Sequence, residues 1–179
     1  MPGTIVIADD VTGANDIGVM YAKAGLDAYV YSFEEGKIPS CPPCDVLVMD
    51  TDSRFDTYER AYQKVFSALK ALPAEGVQQY IDKQCSVFRG NIGAEFDAML
   101  DALCEEFAPV VLGFPDNGRT TLHSVHYVYG TKLEDSQFRR DPVHPMTKSN
   151  LVEILQAQTK RKVGAIWYEV YDRVEEALR

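Results

Sequence analysis

The strongest local signal for the fold is Ile5-Val6-Ile7-Ala8-Asp9-Asp10-Val11-Thr12-Gly13-Ala14-Asn15-Asp16. Four apolar residues lead directly into two carboxylates, and an amphipathic pattern follows them. An apolar run of this length is typical of a strand that is buried on both faces, as in a parallel sheet. Thr12 or Gly13 could begin a helix whose first backbone N–H groups point back at the strand end. Two acids at such a turn suit a polyol or a metal-bound phosphate, although a solvated turn has the same residues.

The same order of strand and helix recurs along the chain and predicts right-handed βαβ crossovers. We therefore predict an α/β fold of three layers, with a mainly parallel, Rossmann-like sheet flanked by helices, in a single domain over residues 1–179. The later part of the chain predicts a strand at 126–129, a loop at 141–145, a short helix ending at 156, a strand at 163–168 and a helix at 170–179. The earlier predicted strands are 5–8, 27–33, 46–49, 78–81 and 109–114, and the predicted helices are 13–23, 57–72 and 92–107.

Composition limits the classes of partner. The formal net charge is −9 and the pI about 4.8, which argues against nucleic acid, because phosphate backbones need basic surface. Neither a signal peptide nor an apolar run long enough to cross a bilayer is recognisable, so we expect a cytoplasmic protein without a membrane partner. Cys41-Pro42-Pro43-Cys44 has the spacing of a redox or zinc pair, but it lacks a second pair of ligands and favours a Pro-rich turn.

Four polar clusters follow the predicted strands, at residues 9–16, 50–54, 83–91 and 115–121. In parallel sheets, ligands bind outside the carboxyl ends of the strands. The four clusters are therefore predicted to line one pocket. The third cluster has Lys83, Ser86, Arg89, Gly90 and Asn91 before a helix, a pattern that suits an anion. It lacks the order of a Walker phosphate-binding loop.

The charges within these clusters indicate an acidic small molecule as the ligand. Arg89 and Arg119 could each hold a carboxylate bidentately, while Asp9, Asp10 and Asp52 could address hydroxyl groups. The three histidines have no metal-ligand spacing, and no metal site is predicted.

A second interpretation concerns Asp50 and Asp52. An apolar strand that ends in Asp-x-Asp is how haloacid-dehalogenase-type phosphatases present a nucleophile, here Asp50, beside Mg²⁺. Arg54 stands where those enzymes prefer Thr or Val, and another strand precedes this one. A simple Asp/Ser turn before a helix is the third interpretation of the same residues.

Several motifs, in order, resemble those of the four-carbon acid sugar kinases. The opening stretch from Ile7 to Asp16 is similar to the first motif of that family. Further similar motifs are Asp50-Thr51-Asp52-Ser53-Arg54, Arg89-Gly90-Asn91-Ile92-Gly93-Ala94-Glu95, Phe114-Pro115-Asp116-Asn117-Gly118-Arg119-Thr120-Thr121, Val125-His126-Tyr127-Val128 and Asp141-Pro142-Val143-His144-Pro145-Met146-Thr147. The resemblance extends over about residues 5–164.

The resemblance implies a kinase that phosphorylates threonate, erythronate or 3-oxo-tetronate type acids with ATP and Mg²⁺. It also implies that this chain is the sugar-acid-binding N-terminal domain, and that ATP and Mg²⁺ bind only if a second domain or a partner protein supplies the nucleotide site. We expect the chain to be inactive alone, and a homo-oligomer is possible. No catalytic residue is assigned; the candidate substrate-binding residues are Asp9, Asp10, Asp52, Arg54, Lys83, Ser86, Arg89, Gly90, Asn117 and Arg119.

Two residues depart from the third motif of that family. Its pattern Lys-x-Asp-Ser-Thr-Leu-Arg-Gly-Asn has Cys85 in place of the acid and Val87 in place of a hydroxyl residue. Loss of a general base or a hydroxyl ligand would favour an alternative function, a non-catalytic sugar-acid sensor or interaction module.

Overall fold

A computed structural model describes residues 2–37, 42–72 and 75–173. The chain divides into two compact units. The first unit comprises residues 1–85 and 90–109, and the second comprises residues 86–89 and 110–179. Cys41 lies outside the described residues, as do residues 174–179 of the predicted closing helix.

The first unit is built on a four-stranded parallel sheet in the order β2-β3-β1-β4. The central strand β1 pairs with β3 on one side and with β4 on the other, so that Ile5 lies between Leu47 and Tyr80. The predicted fold class is confirmed. The bounds of the strands are Thr4–Ala8 for β1, Ala28–Ser32 for β2, Val46–Asp50 for β3 and Gln79–Lys83 for β4.

Three helices cover the two faces of this sheet, because alternate residues of a strand point to opposite sides. Ile5 and Ile7 face α2 (Tyr58–Ala71) and α3 (Ile92–Leu103), while Val6 and Ala8 face α1 (Val11–Lys23). All four strand side chains are 0–1% exposed. The central strand is therefore apolar throughout, as a strand covered on both faces must be.

Local signals set the ends of the helices. Asp10 caps α1, accepting a hydrogen bond of 2.7 Å from the Gly13 N–H, and Thr57 caps α2 in the same way through Arg60 N. The helix α3 ends at Leu103, and its C-cap residue, Cys104, has a left-handed φ of 58°. This end comes four residues before the end of the predicted helix.

The second unit contains a three-stranded antiparallel sheet in the order β5-β6-β7 and a short helix α4. Asn150 caps α4 through its side-chain oxygen, which accepts from Val152 N and Glu153 N. The bounds are Arg119–Leu122 for β5, Val125–Val128 for β6, Thr131–Lys132 for β7 and Leu151–Gln156 for α4.

Two predicted strands are wrong. Residues 109–114 and 163–168 form no strand in the described parts of the chain. Val111 is 94% exposed and Val110 44% exposed, so this apolar run is not part of the four-stranded sheet. An apolar run becomes a strand only where another strand completes its hydrogen bonds. Among the described helices, none is long and apolar enough to cross a membrane.

Candidate functional site

The carboxyl edge of the parallel sheet carries three of the four predicted polar clusters. Asp9 and Asp10 follow β1, the 50–54 cluster begins at the end of β3, and Lys83 is the last residue of β4. The fourth cluster was predicted to join them through a strand at 109–114. The strand is absent from the described residues, and Arg119 instead begins β5 of the antiparallel sheet in the second unit.

A buried ion pair lies at the centre of this edge. Arg54 donates from Nε to Asp9 Oδ2 at 2.7 Å and from Nη2 to Asp9 Oδ1 at 2.8 Å. Arg54 Nη1 also donates to Asp10 Oδ2. Burial alone would lower the pKa of Arg54, but its bonds to Asp9 hold that pKa above the ordinary value. Asp9 therefore has both carboxylate oxygens engaged by a fixed positive charge.

The first turn of α1 brings two charged groups together. A Cβ atom placed on Gly13 would lie 3.0 Å from Asp10 Oδ1 and 3.4 Å from Lys83 Nζ, so both groups converge on this glycine. The Asp10 side chain is 20% exposed, and Lys83 Nζ donates to the Gln84 carbonyl at 3.0 Å. A carboxylate and an ammonium beside a helix N-terminus can bind the hydroxyl groups of a polyol.

Asp52 lies at the apex of the turn that follows β3. It is exposed and has a left-handed φ of 47°. Its backbone N–H donates to Asp50 Oδ1 at 3.0 Å, and its carbonyl accepts from Lys64 Nζ at 2.6 Å. The turn thus presents the Asp52 carboxylate to solvent, while Asp50 is buried behind it.

This arrangement does not favour Asp50 as a phosphatase nucleophile. Burial raises the pKa of Asp50, and the Asp52 N–H already occupies one of its oxygens. A nucleophilic carboxylate must be ionised and must reach a phosphorus atom.

Gly90 packs directly against the ion pair. Its φ is +119°, and a Cβ atom there would lie 3.2 Å from Arg54 Cγ and 3.6 Å from Asp9 Oδ2. A side chain at this position would be strained in its backbone and would press on Arg54. The absence of a side chain at Gly90 therefore leaves room for Arg54 and Asp9 to form their ion pair.

In the second unit, two arginines stack on one aromatic ring. The Cζ atoms of Arg89 and Arg119 lie 5.6 Å and 5.7 Å from the ring centre of Phe138, and Arg119 also lies 4.9 Å from the ring centre of Tyr129. Arg89 forms an ion pair with Asp141. Both guanidinium groups thus lie within cation–π distance of an aromatic ring.

Arg119 differs from Arg89, which is paired with Asp141, in having no carboxylate partner among the described residues. It is 8% exposed, its Nη1 donates to the Asn117 carbonyl at 2.6 Å, and its Nε has no hydrogen-bond partner among the described residues. No carboxylate pairs with it in the described parts of the chain. The fourth cluster thus holds a buried guanidinium that an anion could neutralise.

Other predicted site residues have plainer surroundings. The Asn117 side chain accepts from the Tyr129 hydroxyl at 3.2 Å, and Ser86 is half-buried in the second unit. Sequence reasoning did not single out Phe138 or Tyr129, because an aromatic residue carries no local sign that it will lie against an arginine. The ligand roles of all ten candidate residues stay predictions.

Among the described residues, no set of three acids could surround a metal ion, and no such set forms with His or Cys side chains either. The two acids after β1 are already bonded to Arg54. Magnesium at this site would depend on oxygen atoms that a nucleotide brings.

Comparison with known proteins identifies the family. A family model described as the sugar-binding N-terminal domain matches residues 4–179. The chain belongs to this family. It is 40% identical over 171 residues to the D-threonate kinase of Salmonella typhimurium. The aligned region covers 93% of this chain and 38% of that protein. It is 35% identical over 168 residues to the D-erythronate kinase of Heliobacterium modesticaldum, and this alignment covers 93% of this chain and 38% of that protein.

The predicted resemblance to four-carbon acid sugar kinases is confirmed by these relatives. The 3-oxo-tetronate kinase of Escherichia coli is 35% identical over 179 residues, covering 97% of this chain and 46% of that protein. The chain therefore spans less than half the length of these curated relatives.

Solved structures support the fold. A Haemophilus influenzae protein superposes with a TM-score of 0.88 at 32% identity, covering 97% of this chain and 44% of that one. A domain of unknown function from Bordetella bronchiseptica superposes with a TM-score of 0.75 at 30% identity. The superposition covers 87% of this chain and 40% of that one. That protein was crystallised as a domain-swapped dimer with bound citrate.

Proposed function

We propose that the chain binds a four-carbon sugar acid and serves as the substrate domain of a sugar-acid kinase. The observation that carries this proposal is the buried guanidinium of Arg119, which has no carboxylate partner among the described residues. A buried charge is costly unless it is paired, and a planar guanidinium matches a carboxylate bidentately. The carboxylate of a sugar acid would supply the missing partner.

Considered by itself, the first unit also has groups that suit hydroxyls. Asp10, Lys83 and Asp52 each present a charged side chain at the carboxyl edge of the parallel sheet. In this proposal Asp9 and Arg54 position Asp10 instead of contacting the ligand, because their hydrogen-bonding groups are engaged with one another. The citrate bound in the Bordetella protein carries carboxylate and hydroxyl groups, the two kinds of group that the proposed ligand also has.

The kinase names of the relatives support phosphoryl transfer by the longer proteins. Phosphoryl transfer depends mainly on positioning the nucleotide and its metal. We infer that ATP and Mg²⁺ are bound by a second domain or a partner protein, and that this chain alone does not complete the transfer. Its own residues would orient the sugar acid.

Calorimetric titration tests the binding proposal. We expect D-erythronate or D-threonate to bind, and erythritol, which lacks the carboxylate, to bind far more weakly. Arg119→Met should weaken sugar-acid binding by about 10–100-fold, because charge-assisted hydrogen bonds contribute about 1.5–3 kcal/mol. Arg140→Met is the matched control, since Arg140 is an exposed arginine of the same unit. Failure of every tetronate to bind a folded sample would contradict the proposal.

A coupled assay for ADP tests the inference that this chain alone does not complete phosphoryl transfer. With D-erythronate, ATP and Mg²⁺, the chain alone should produce no ADP above the rate without sugar acid. Sugar-dependent turnover by the isolated chain would show that the nucleotide site is complete. Light scattering during gel filtration would test the predicted homo-oligomer, for which the domain-swapped dimer of the Bordetella protein is the precedent.

A non-catalytic sensor is the second candidate function. Cys85 is 8% exposed and Val87 is 1% exposed, so the two residues that depart from the family pattern lie in the core. They offer neither a carboxylate nor a hydroxyl to a ligand. Restoring the pattern with Cys85→Asp and Val87→Thr would separate the candidates if a kinase partner domain were supplied, because only a kinase would gain turnover.

A further inference from the structure

The start of α3 carries an acid whose carboxyl group is buried in the first unit. Glu95 is 1% exposed, and its Oε1 lies 2.6 Å from Ser53 Oγ. Its other oxygen, Oε2, accepts a hydrogen bond from Gln84 Nε2. Glu95 therefore joins α3 to the turn that carries Asp52.

A row of oxygen atoms continues from this contact to the end of β1. Ser53 Oγ lies 2.8 Å from Thr51 Oγ1, and Thr51 Oγ1 lies 3.0 Å from the Ala8 carbonyl oxygen. Together with the contact to Glu95, the row contains three oxygen–oxygen contacts of hydrogen-bond length. Each contact needs one proton between its two oxygens.

The row requires three protons, one for each of its three contacts. Each hydroxyl group contributes one proton, and a carbonyl oxygen contributes none. Ser53 and Thr51 therefore supply two protons for three contacts. An ionised Glu95 would leave two oxygen lone pairs facing each other at one of these distances, among residues that are 0–2% exposed.

We infer that Glu95 is a protonated carboxylic acid that donates to Ser53 and acts as a positioning residue for the Asp52 turn. Glu95 donates to Ser53, Ser53 donates to Thr51, and Thr51 donates to the Ala8 carbonyl. The same state suits Gln84, whose amide donates to the carbonyl oxygen of the acid.

The charges around Glu95 favour its neutral form. Gln84 Nε2 also donates to Asp82 Oδ2 at 2.8 Å, so one amide bridges the two acids. Asp82, on β4, and Asp9, which directly follows β1, are the acids that act on it, and Asp9 is itself paired with Arg54. Burial, and then the charges of Asp82 and Asp9, raise the pKa of Glu95 well above its ordinary value.

The consequence falls on the residues on either side of Asp52. These are Thr51 and Ser53, whose hydroxyl groups form the row, so the row holds the turn at two points. Backbone bonds from Ser53 N and Arg54 N to the Asp9 carbonyl, at 3.0 and 3.1 Å, add to this support. The effect of Glu95 on ligand binding rests on the proposed function. Its protonation does not, because that follows from the oxygen contacts alone.

Infrared spectroscopy of the whole chain tests the protonation. At pH 7 the wild type should show a carbonyl band of a protonated carboxylic acid that is lost in Glu95→Gln and unaffected in Glu105→Gln, an exposed control. Asp82→Asn separates any contribution of Asp82 to this band. If Glu95→Gln removes only a carboxylate band, the inference is overturned.

Stability as a function of pH supplies a second readout. Because a raised folded-state pKa means that the folded chain binds the extra proton, the wild type should lose stability as pH rises above the unfolded-state pKa of Glu95. Glutamine keeps a donor for Ser53 and an acceptor for Gln84, so Glu95→Gln should reduce this pH slope. An unchanged slope, with Glu95→Gln less stable at pH 7, would refute the inference.

Ligand affinity tests the positioning role. Glu95→Gln should bind D-erythronate like the wild type, whereas a folded Glu95→Ala variant should bind about tenfold more weakly, because Ser53 loses its donor. Equal affinity of Glu95→Ala and the wild type would refute positioning. If the wild type binds no sugar acid, the proposed function fails, and the infrared result still decides the protonation state.

Discussion

Replacing Arg54 with methionine removes the guanidinium that joins Asp9 and Asp10. The Asp9 side chain is fully buried, and its two oxygens lose donors that lie at 2.7 and 2.8 Å. Removing one member of a buried ion pair costs about 3–5 kcal/mol, because the other charge stays buried without compensation. Asp10 is 20% exposed and can recover hydration, so it adds little. We expect a loss of about 4 kcal/mol in the free energy of unfolding.

Urea denaturation followed by circular dichroism measures this loss. The melting temperature should fall by about 10 °C for a chain of this size. Asp9→Asn combined with Arg54→Met should recover much of the stability, because the buried charge is then gone. Asp10→Asn is the matched control, since asparagine caps a helix as well as aspartate does. A loss below about 1 kcal/mol in Arg54→Met, or no coupling with Asp9→Asn, would refute the reasoning.

Three further changes have defined outcomes. Gly118→Ala should weaken sugar-acid binding and lower the melting temperature, because the new Cβ would lie 2.3 Å from the Tyr129 ring at a φ of +65°; unchanged calorimetric affinity would contradict this. Burial raises the pKa of Asp82 to about 7, so stability should fall as pH rises from about 4 toward 7, and Asp82→Asn should flatten that fall in urea titrations. Asn91→Ala should cost about 1–3 kcal/mol, because its amide donates to the carbonyls of residues 53, 54 and 56; a smaller change in denaturation midpoint would count against it.

The parallel sheet and its polar edge could be predicted from local patterns. The apolar runs at β1 and β3 are each followed by acids, and the alternation of strands with helices implies that the strands are parallel. The same kind of pattern at residues 109–114 gave a wrong strand. That run resembles a buried strand in composition, yet Val111 is 94% exposed.

The chemical state of each acid could not be predicted in this way. Asp9 and Asp10 are adjacent and identical in sequence terms, but Arg54, more than forty residues away, engages both oxygens of Asp9 and one of Asp10. Glu95 was visible only as part of a family motif. Its inferred proton follows from three contacts that connect β1, the Asp52 turn and α3.

The α/β class, the acids at the ends of the strands and the family follow from the sequence, because periodicity and short motifs are local properties of the chain. The folded chain is needed to show which carboxylates are paired, which one carries a proton and which arginine has no carboxylate partner among the described residues. Those properties depend on burial and on distances between residues far apart in the sequence. The guanidinium of Arg119 and the carboxyl group of Glu95 acquire their chemistry from such surroundings.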